Sequence, residues 1–186
     1  MTATALAVDL GSSSGRVIAG VLDDGRITET EVYRFPHTAA MRDGYLCWDL
    51  DLIRQEMIKG LQLAVERFPD ATSVSIDTWG VDYGLLDAQG TLLRAPRAYR
   101  DGRMSRWAAD LDRAIAPEAA WRETGVLPQQ INMVYQLYAD LREEPGLVDR
   151  VARFLPLPDL VSYLLGAPAE AGRAIASTTG LASPGA

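Results

Sequence analysis

Two short apolar runs, Ala5–Leu10 and Arg16–Leu22, are separated only by Gly11-Ser12-Ser13-Ser14-Gly15. β-leaning runs on either side of small residues predict a hairpin. This order excludes the two familiar nucleotide loops, since a P-loop needs Gly-Lys-Ser/Thr opening a helix and a dinucleotide fold needs its glycines between strand and helix. Here a strand follows. A glycine-serine turn at the end of a hairpin presents backbone N–H groups and hydroxyls, a geometry that surrounds an anion without lysines. Asp9 closes the first strand, where a carboxylate can hold a hydrated magnesium ion through water. Arg16 either faces the phosphates or braces the turn. The plainer alternative is an ordinary Gly/Ser hairpin with no ligand.

Asp23-Asp24-Gly25 supplies a second turn before alternation in Ile27–Phe35, so three antiparallel strands open the chain. From Asp49 the period changes: Leu50, Ile53, Met57, Leu61, Ala64 or Val65, and Phe68 recur at helical spacing, with Asp49 or Asp51 as cap and Pro69 just past the end. Val74–Asp77 reads as a strand, and Gly84–Asp87 before Ala88-Gln89-Gly90 as the start of another hairpin. Beyond Arg100 helices are predicted at Met104–Ile115, Glu118–Thr124, Asn132–Leu141, Leu147–Phe154 and Asp159–Leu165, punctuated by prolines. Strands, a helix, a strand and trailing helices predict an α/β fold, a mixed sheet with flanking helices.

The chain has 186 residues, 48% of them hydrophobic, enough for one sizeable core. A net charge of −7 argues against nucleic acid as a partner. No apolar run is long enough for export or spanning, so no membrane association and a cytoplasmic setting are expected. The single cysteine, Cys47, allows no internal disulfide and reads as a small buried apolar residue. His37, the single histidine, stands in a polar stretch before Asp43-Gly44 and is expected to be solvent-exposed, with no assigned role.

The stretch "VDLGSSSGR" resembles the first phosphate motif of the actin and sugar-kinase superfamily, whose fold is ribonuclease H-like. Together with "GYLCWDLD", "SIDTWGVDYGLLDAQG", "APRAYRDGR", "NMVYQLYAD" and "FLPLPDLVSYLLG", it is similar to the N-terminal domain of the FGGY carbohydrate kinases, nearest their rhamnulokinase subgroup. The likeness runs in order from about Ala5 to Leu181. It implies one domain of two over 1–186: mainly mixed sheet with one long helix in 1–100, mainly helical in 101–165, and a small-residue-rich end in 166–186 leading to a second, absent C-terminal kinase domain.

By this resemblance Ser12, Ser13, Ser14, Gly15 and Arg16 face the ATP phosphates and Asp9 is the carboxylate on the Mg2+ side. The position of Gly80 contacts the sugar, L-rhamnulose in the subgroup. Trp79 offers a flat face there and Asp82 an acceptor for hydroxyls; the plainer alternatives are a core tryptophan at Trp79 and, at Asp77, a carboxylate that only satisfies a turn. Arg100, Asp101 and Arg103 fall in the family's "YRDxR" segment, read as lining the sugar side, against a solvated charge cluster capping the next helix. Asn132 and Gln136 share a helix face with a sugar-proximal reading. The family's catalytic base is an aspartate in a segment resembling "HDTASA", and no such segment occurs here, so no catalytic residue is assigned within the chain. The expectation is a sugar-binding domain that is inactive alone; the alternative is a stand-alone sugar-binding or regulatory module. Two departures from the family pattern bear on the last turn: Gly180 stands where glutamine is usual, and Glu170 is displaced from the expected acidic position.

Overall fold

The computed structural model describes residues 2–183. Its elements run β1 (Ala3–Leu10), β2 (Ser14–Asp23), β3 (Arg26–Pro36), β4 (Ala40–Arg42), β5 (Tyr45–Cys47), α1 (Leu50–Arg67), β6 (Ala71–Thr78) and β7 (Tyr83–Leu86). They continue α2 (Arg103–Ala114), α3 (Pro117–Thr124), α4 (Met133–Glu143), α5 (Leu147–Arg150), β8 (Arg153–Pro156), α6 (Leu157–Leu164) and α7 (Arg173–Ala176). The chain divides into two compact units.

The first unit holds the chain up to Thr38, Asp49–Trp79 and Leu164–Gly166. Its sheet has four strands in the order β3-β2-β1-β6. β1 and β2, and β2 and β3, are antiparallel, while β6 joins β1 in parallel. A parallel neighbour needs a crossover, and α1 supplies it. Alternation along β1 buries Leu6, Val8 and Leu10, and Val17 and Ala19 do the same on β2. Onto them α1 brings Ile53, Met57 and Ala64 at helical spacing. The Asp49 side chain accepts from Leu52 N, a cap worth about 1 kcal/mol. Gly60 marks the closest approach of helix to sheet: a Cβ there would lie 2.6 Å from Val17 and 2.9 Å from the Tyr33 ring.

The second unit holds Ala39–Trp48, Gly80–Tyr163 and the chain from Ala167 on. β4 and β5 form a small hairpin, and β7 pairs with β8. Tyr83, Leu85, Met133 and Leu147 make one apolar cluster. Met104, Ala108, Leu111 and Tyr135 make another, between α2 and α4.

The opening hairpin, the third strand and α1 form where the sequence pattern places them, and Cys47 is buried at 6% exposure. The mixed sheet with flanking helices is likewise as expected. Two expectations are corrected. The helix predicted over Leu147–Phe154 ends at Arg150, and Arg153–Pro156 instead pairs with β7. The turn after Leu86 does form, with Asp87 Oδ1 accepting from Gln89 N and Thr91 N, but the ladder partner of β7 is β8 and only a bridge links Leu86 to Leu92.

Candidate functional site

In the first unit the Gly-Ser turn closes with one hydrogen bond, Gly11 N to Ser14 O at 2.9 Å. Ser13 is exposed and Ser12 and Ser14 are half-buried, so the turn is open to an approaching ligand. Gly15 is required by close approach: a Cβ there would lie 2.3 Å from the Phe35 ring and 2.7 Å from Leu10. Asp9 and Arg16 stand opposite each other in the β1–β2 register, and Arg16 Nη2 donates to Asp9 Oδ2. Of the two roles open to Arg16, bracing the neck of the hairpin is the one this geometry displays. Across the β1–β6 pair Asp9 neighbours Asp77, which sets two carboxylates side by side at the strand ends.

His37 is corrected from an exposed loop residue to a buried one, at 5% exposure. Its ring stacks on Trp79 at a centroid distance of 5.4 Å and lies 6.2 Å from the Phe35 ring. Burial lowers its pKa, and hydrogen bonding to the backbone of Gly11 and Ser14 opposes this. The polar neighbours in the sequence gave no sign of this, because the covering group, Trp79, arrives from the end of β6.

In the second unit the remaining candidates fall into two sets. Asp82, Asp101, Arg103 and Gln136 are buried and engaged with their own unit. Asp82 Oδ2 accepts from Trp48 Nε1 at 2.6 Å. Asp101 accepts from Leu46 N at 2.7 Å and from Arg103 N at 2.9 Å. Arg103 Nη2 donates to Gln136 Oε1 at 3.0 Å, and Gln136 Nε2 donates to the carbonyls of Val81 and Ile131 at 2.6 and 2.8 Å. The "GVD", "YRDGR" and "INMVYQ" segments are thus tied through side chains buried among them. Arg100 stands apart, exposed, its Nε donating to Tyr99. Asn132 is also apart: its Nδ2 reaches Leu127 O at 3.5 Å, and it lines a mainly apolar cavity of about 440 Å³ with Leu111, Ile115 and Tyr135. The shared face expected for Asn132 and Gln136 is therefore divided between different partners. Gly80 is half-buried, with room for a Cβ only at 3.3 Å from Ile175.

The centre of this network is Asp140, which sequence reasoning did not single out. Its Oδ1 accepts from Arg97 Nη1 at 2.6 Å and Arg103 Nε at 2.8 Å, and its Oδ2 from the Tyr83 hydroxyl at 2.5 Å and from Arg94. Burial pushes the Asp140 carboxyl up, but Arg103, Arg94, the Tyr83 hydroxyl and Arg97 together hold it below the usual carboxylate range. Burial and the same aspartate push the Tyr83 phenol well above its ordinary value. Two sequence signals pointed here: a charged residue four positions beyond Gln136 on a buried stripe, and arginines at 94, 97, 100 and 103 recurring every third residue. Gly180 also finds its reason, since its φ of 74° is left-handed and a Cβ would lie 3.1 Å from Val134.

The chain matches no family model. It is 40% identical to the rhamnulokinase of Oceanobacillus iheyensis over 160 residues, which is 86% of this chain and 34% of that one. Identity to the rhamnulokinase of Enterococcus faecalis is 36% over 183 residues, 98% of this chain and 36% of the other. Among solved structures it superposes on a gluconate kinase and a xylulose kinase, both from Lactobacillus acidophilus. Their TM-scores are 0.83 and 0.82 at 13% and 12% identity, over 98% and 97% of this chain and 37% and 36% of theirs. It resembles the rhamnulokinases in sequence and the sugar kinases in fold. The likeness to FGGY carbohydrate kinases seen in the motifs therefore stands. The chain spans about a third of the length of these rhamnulokinases. Among the described residues no helix is long and apolar enough to cross a membrane.

Proposed function

We propose that the chain is the sugar- and phosphate-binding part of an ATP-dependent rhamnulokinase acting in the cytoplasm. In this reading the polypeptide that completes the enzyme carries the catalytic base and the adenosine site. The observation that carries the proposal is the turn of Gly11–Gly15: small, open, closed against Phe35 at a position where only glycine fits, and flanked at its neck by Asp9 and Arg16. A turn of this kind offers its N–H groups and hydroxyls to phosphate oxygens.

In the reaction proposed, a hydroxyl oxygen of L-rhamnulose forms a bond to the γ-phosphorus of ATP while the bond to the ADP oxygen breaks, and the hydroxyl proton passes to a carboxylate outside this chain. The neighbouring carboxylates Asp9 and Asp77 suit magnesium, which keeps most of its water and takes one or two carboxylates, so they are the residues that would hold it. Bound there, the ion would offset phosphate charge. Arg16 holds Asp9 in place. Gly80 and Arg100 of the second unit are proposed as the sugar-facing groups. Asp101, Arg103 and Gln136, with hydrogen bonds inside their own unit, and Asp82, whose Oδ2 accepts from Trp48, act on the sugar by fixing the segments that carry those groups.

The test is a calorimetric titration of the chain with L-rhamnulose, L-fuculose and D-xylulose. Saturable binding of L-rhamnulose in preference to the other ketoses is expected. Equal heats for all of them, or none for any, would remove the sugar assignment.

A further inference from the structure

The buried ion cluster around Asp140 calls for a use beyond stability. Apolar residues of the same volume commonly pack as well as a buried ion pair or better, because desolvating the charges offsets much of their attraction. What the cluster supplies here is direction. The two carboxylate oxygens of Asp140 serve different parts of the second unit: Oδ2 takes the Tyr83 hydroxyl and Arg94, and Oδ1 takes Arg97 Nη1 and Arg103 Nε.

The Oδ1 side leads on. With its Nε held at 2.8 Å from Asp140, the planar guanidinium of Arg103 directs Nη2 onto Gln136 Oε1 at 3.0 Å. A side-chain amide has a donor end and an acceptor end of nearly the same shape, and donation from Arg103 decides which end faces where. Nε2 is then left to donate to two carbonyls, Val81 O at 2.6 Å and Ile131 O at 2.8 Å. Arg103 and Gln136 are fully buried, so water does not compete for these bonds. Val81 follows directly on Gly80, whose backbone has the freedom of a glycine and which is the proposed sugar-facing residue. The residue after Val81 is held as well, Asp82 O accepting from Leu157 N at 2.8 Å.

We propose that Asp140 is a positioning residue for the sugar site, acting through Arg103 and Gln136 on the Val81 carbonyl and so on the backbone of Gly80. The inference rests on the reading of Gly80 as sugar-facing. It separates the two sides of the carboxylate: the Oδ1 side serves the ligand, and the Oδ2 side serves the fold alone.

The experiment is a double-mutant cycle on the 186-residue chain, read by calorimetric titration with L-rhamnulose, with the melting temperature of every variant recorded. Asp140→Asn removes the charge that holds Arg103, and Gln136→Met removes the link from Arg103 to Val81 in a side chain of similar length. Each alone should lower affinity about tenfold, the worth of one hydrogen bond. Because both act on one route, the double variant should bind within about twofold of Gln136→Met, while it melts below either single variant. Tyr83→Phe, which removes a donor from Oδ2, should melt lower than the parent and keep its affinity. If Asp140→Asn does not fold, Arg103→Lys keeps a charge beside Asp140, drops the Nη2 donor and takes its place in the cycle. Parental affinity in that member of the cycle, a loss of the same size with and without Gln136, or an equal loss in Tyr83→Phe would each overturn the role of Asp140 and leave the sugar reading standing. No binding by the parent chain would overturn the sugar reading, and this inference with it.

Discussion

Asp140 accepts from three arginines and a tyrosine while fully buried, so its removal leaves cationic groups without their counter-charge in a dry setting. Asp140→Ala is expected to cost about 3–5 kcal/mol, the range for breaking a buried pair by removing one partner. The exposed pair Arg122–Glu118 on α3 is the contrast: Arg122→Ala should change stability by less than about 0.5 kcal/mol. Urea unfolding of both variants checks the pair of values. Acid should act through the same residues. The folded-state pKa values of His37 and Asp140 both lie below their ordinary ones, so in each case the unfolded chain binds the proton more tightly and stability falls with falling pH. For His37 the loss begins below about pH 6.5, and for Asp140 below about pH 4. A series of thermal melts from pH 8 to pH 3 should show two steps, of which His37→Phe removes the upper; a single step unaffected by that variant would contradict the burial of His37. Neither residue's setting was legible from its neighbours. Gly15 was legible as part of the small-residue turn, but its close approach to Phe35 was not, because that ring comes from β3.

At the scale of elements, periodicity decided what could be read. The three opening strands and α1 carry their own pattern, alternating in β1 and β2 and recurring at helical spacing from Leu50 to Ala64. β8 does not. Its four residues follow directly on a helical turn, Phe154 and Leu155 look like the continuation of that turn, and the partner that makes them a strand is β7, far back in the chain. The pairing of Asp140 escapes local pattern for the same reason: the stripe and the arginine spacing hint at a buried charge, but its partners lie between 37 and 57 residues away. Packing of α1 on the sheet supplies a prediction of its own. Gly60→Ala raises helix propensity by about 1 kcal/mol, yet the added methyl would meet Val17 at 2.6 Å and the Tyr33 ring at 2.9 Å. The net effect should be destabilising, by about 1–2 kcal/mol once overpacking is included. A rise in the urea midpoint of this variant would show that helix and sheet are less closely packed than described.

On the scale of the whole molecule, the chain carries a sheet that ends in a Gly-Ser turn and a second unit that ties three motif segments together, over about a third of the length of the rhamnulokinases it resembles. In the proposed division this third makes the phosphate and sugar contacts, and the polypeptide that completes the enzyme carries the proton-accepting carboxylate and the adenosine site. That division is tested most directly by ADP release with ATP, magnesium and L-rhamnulose, measured on the purified 186-residue chain and on one extended through its native downstream reading frame. Sugar-dependent ADP release by the extended chain alone is the predicted result. Release by the 186-residue chain itself would contradict the account, and would place the base inside it, with Asp77 and Asp82 the first carboxylates to replace.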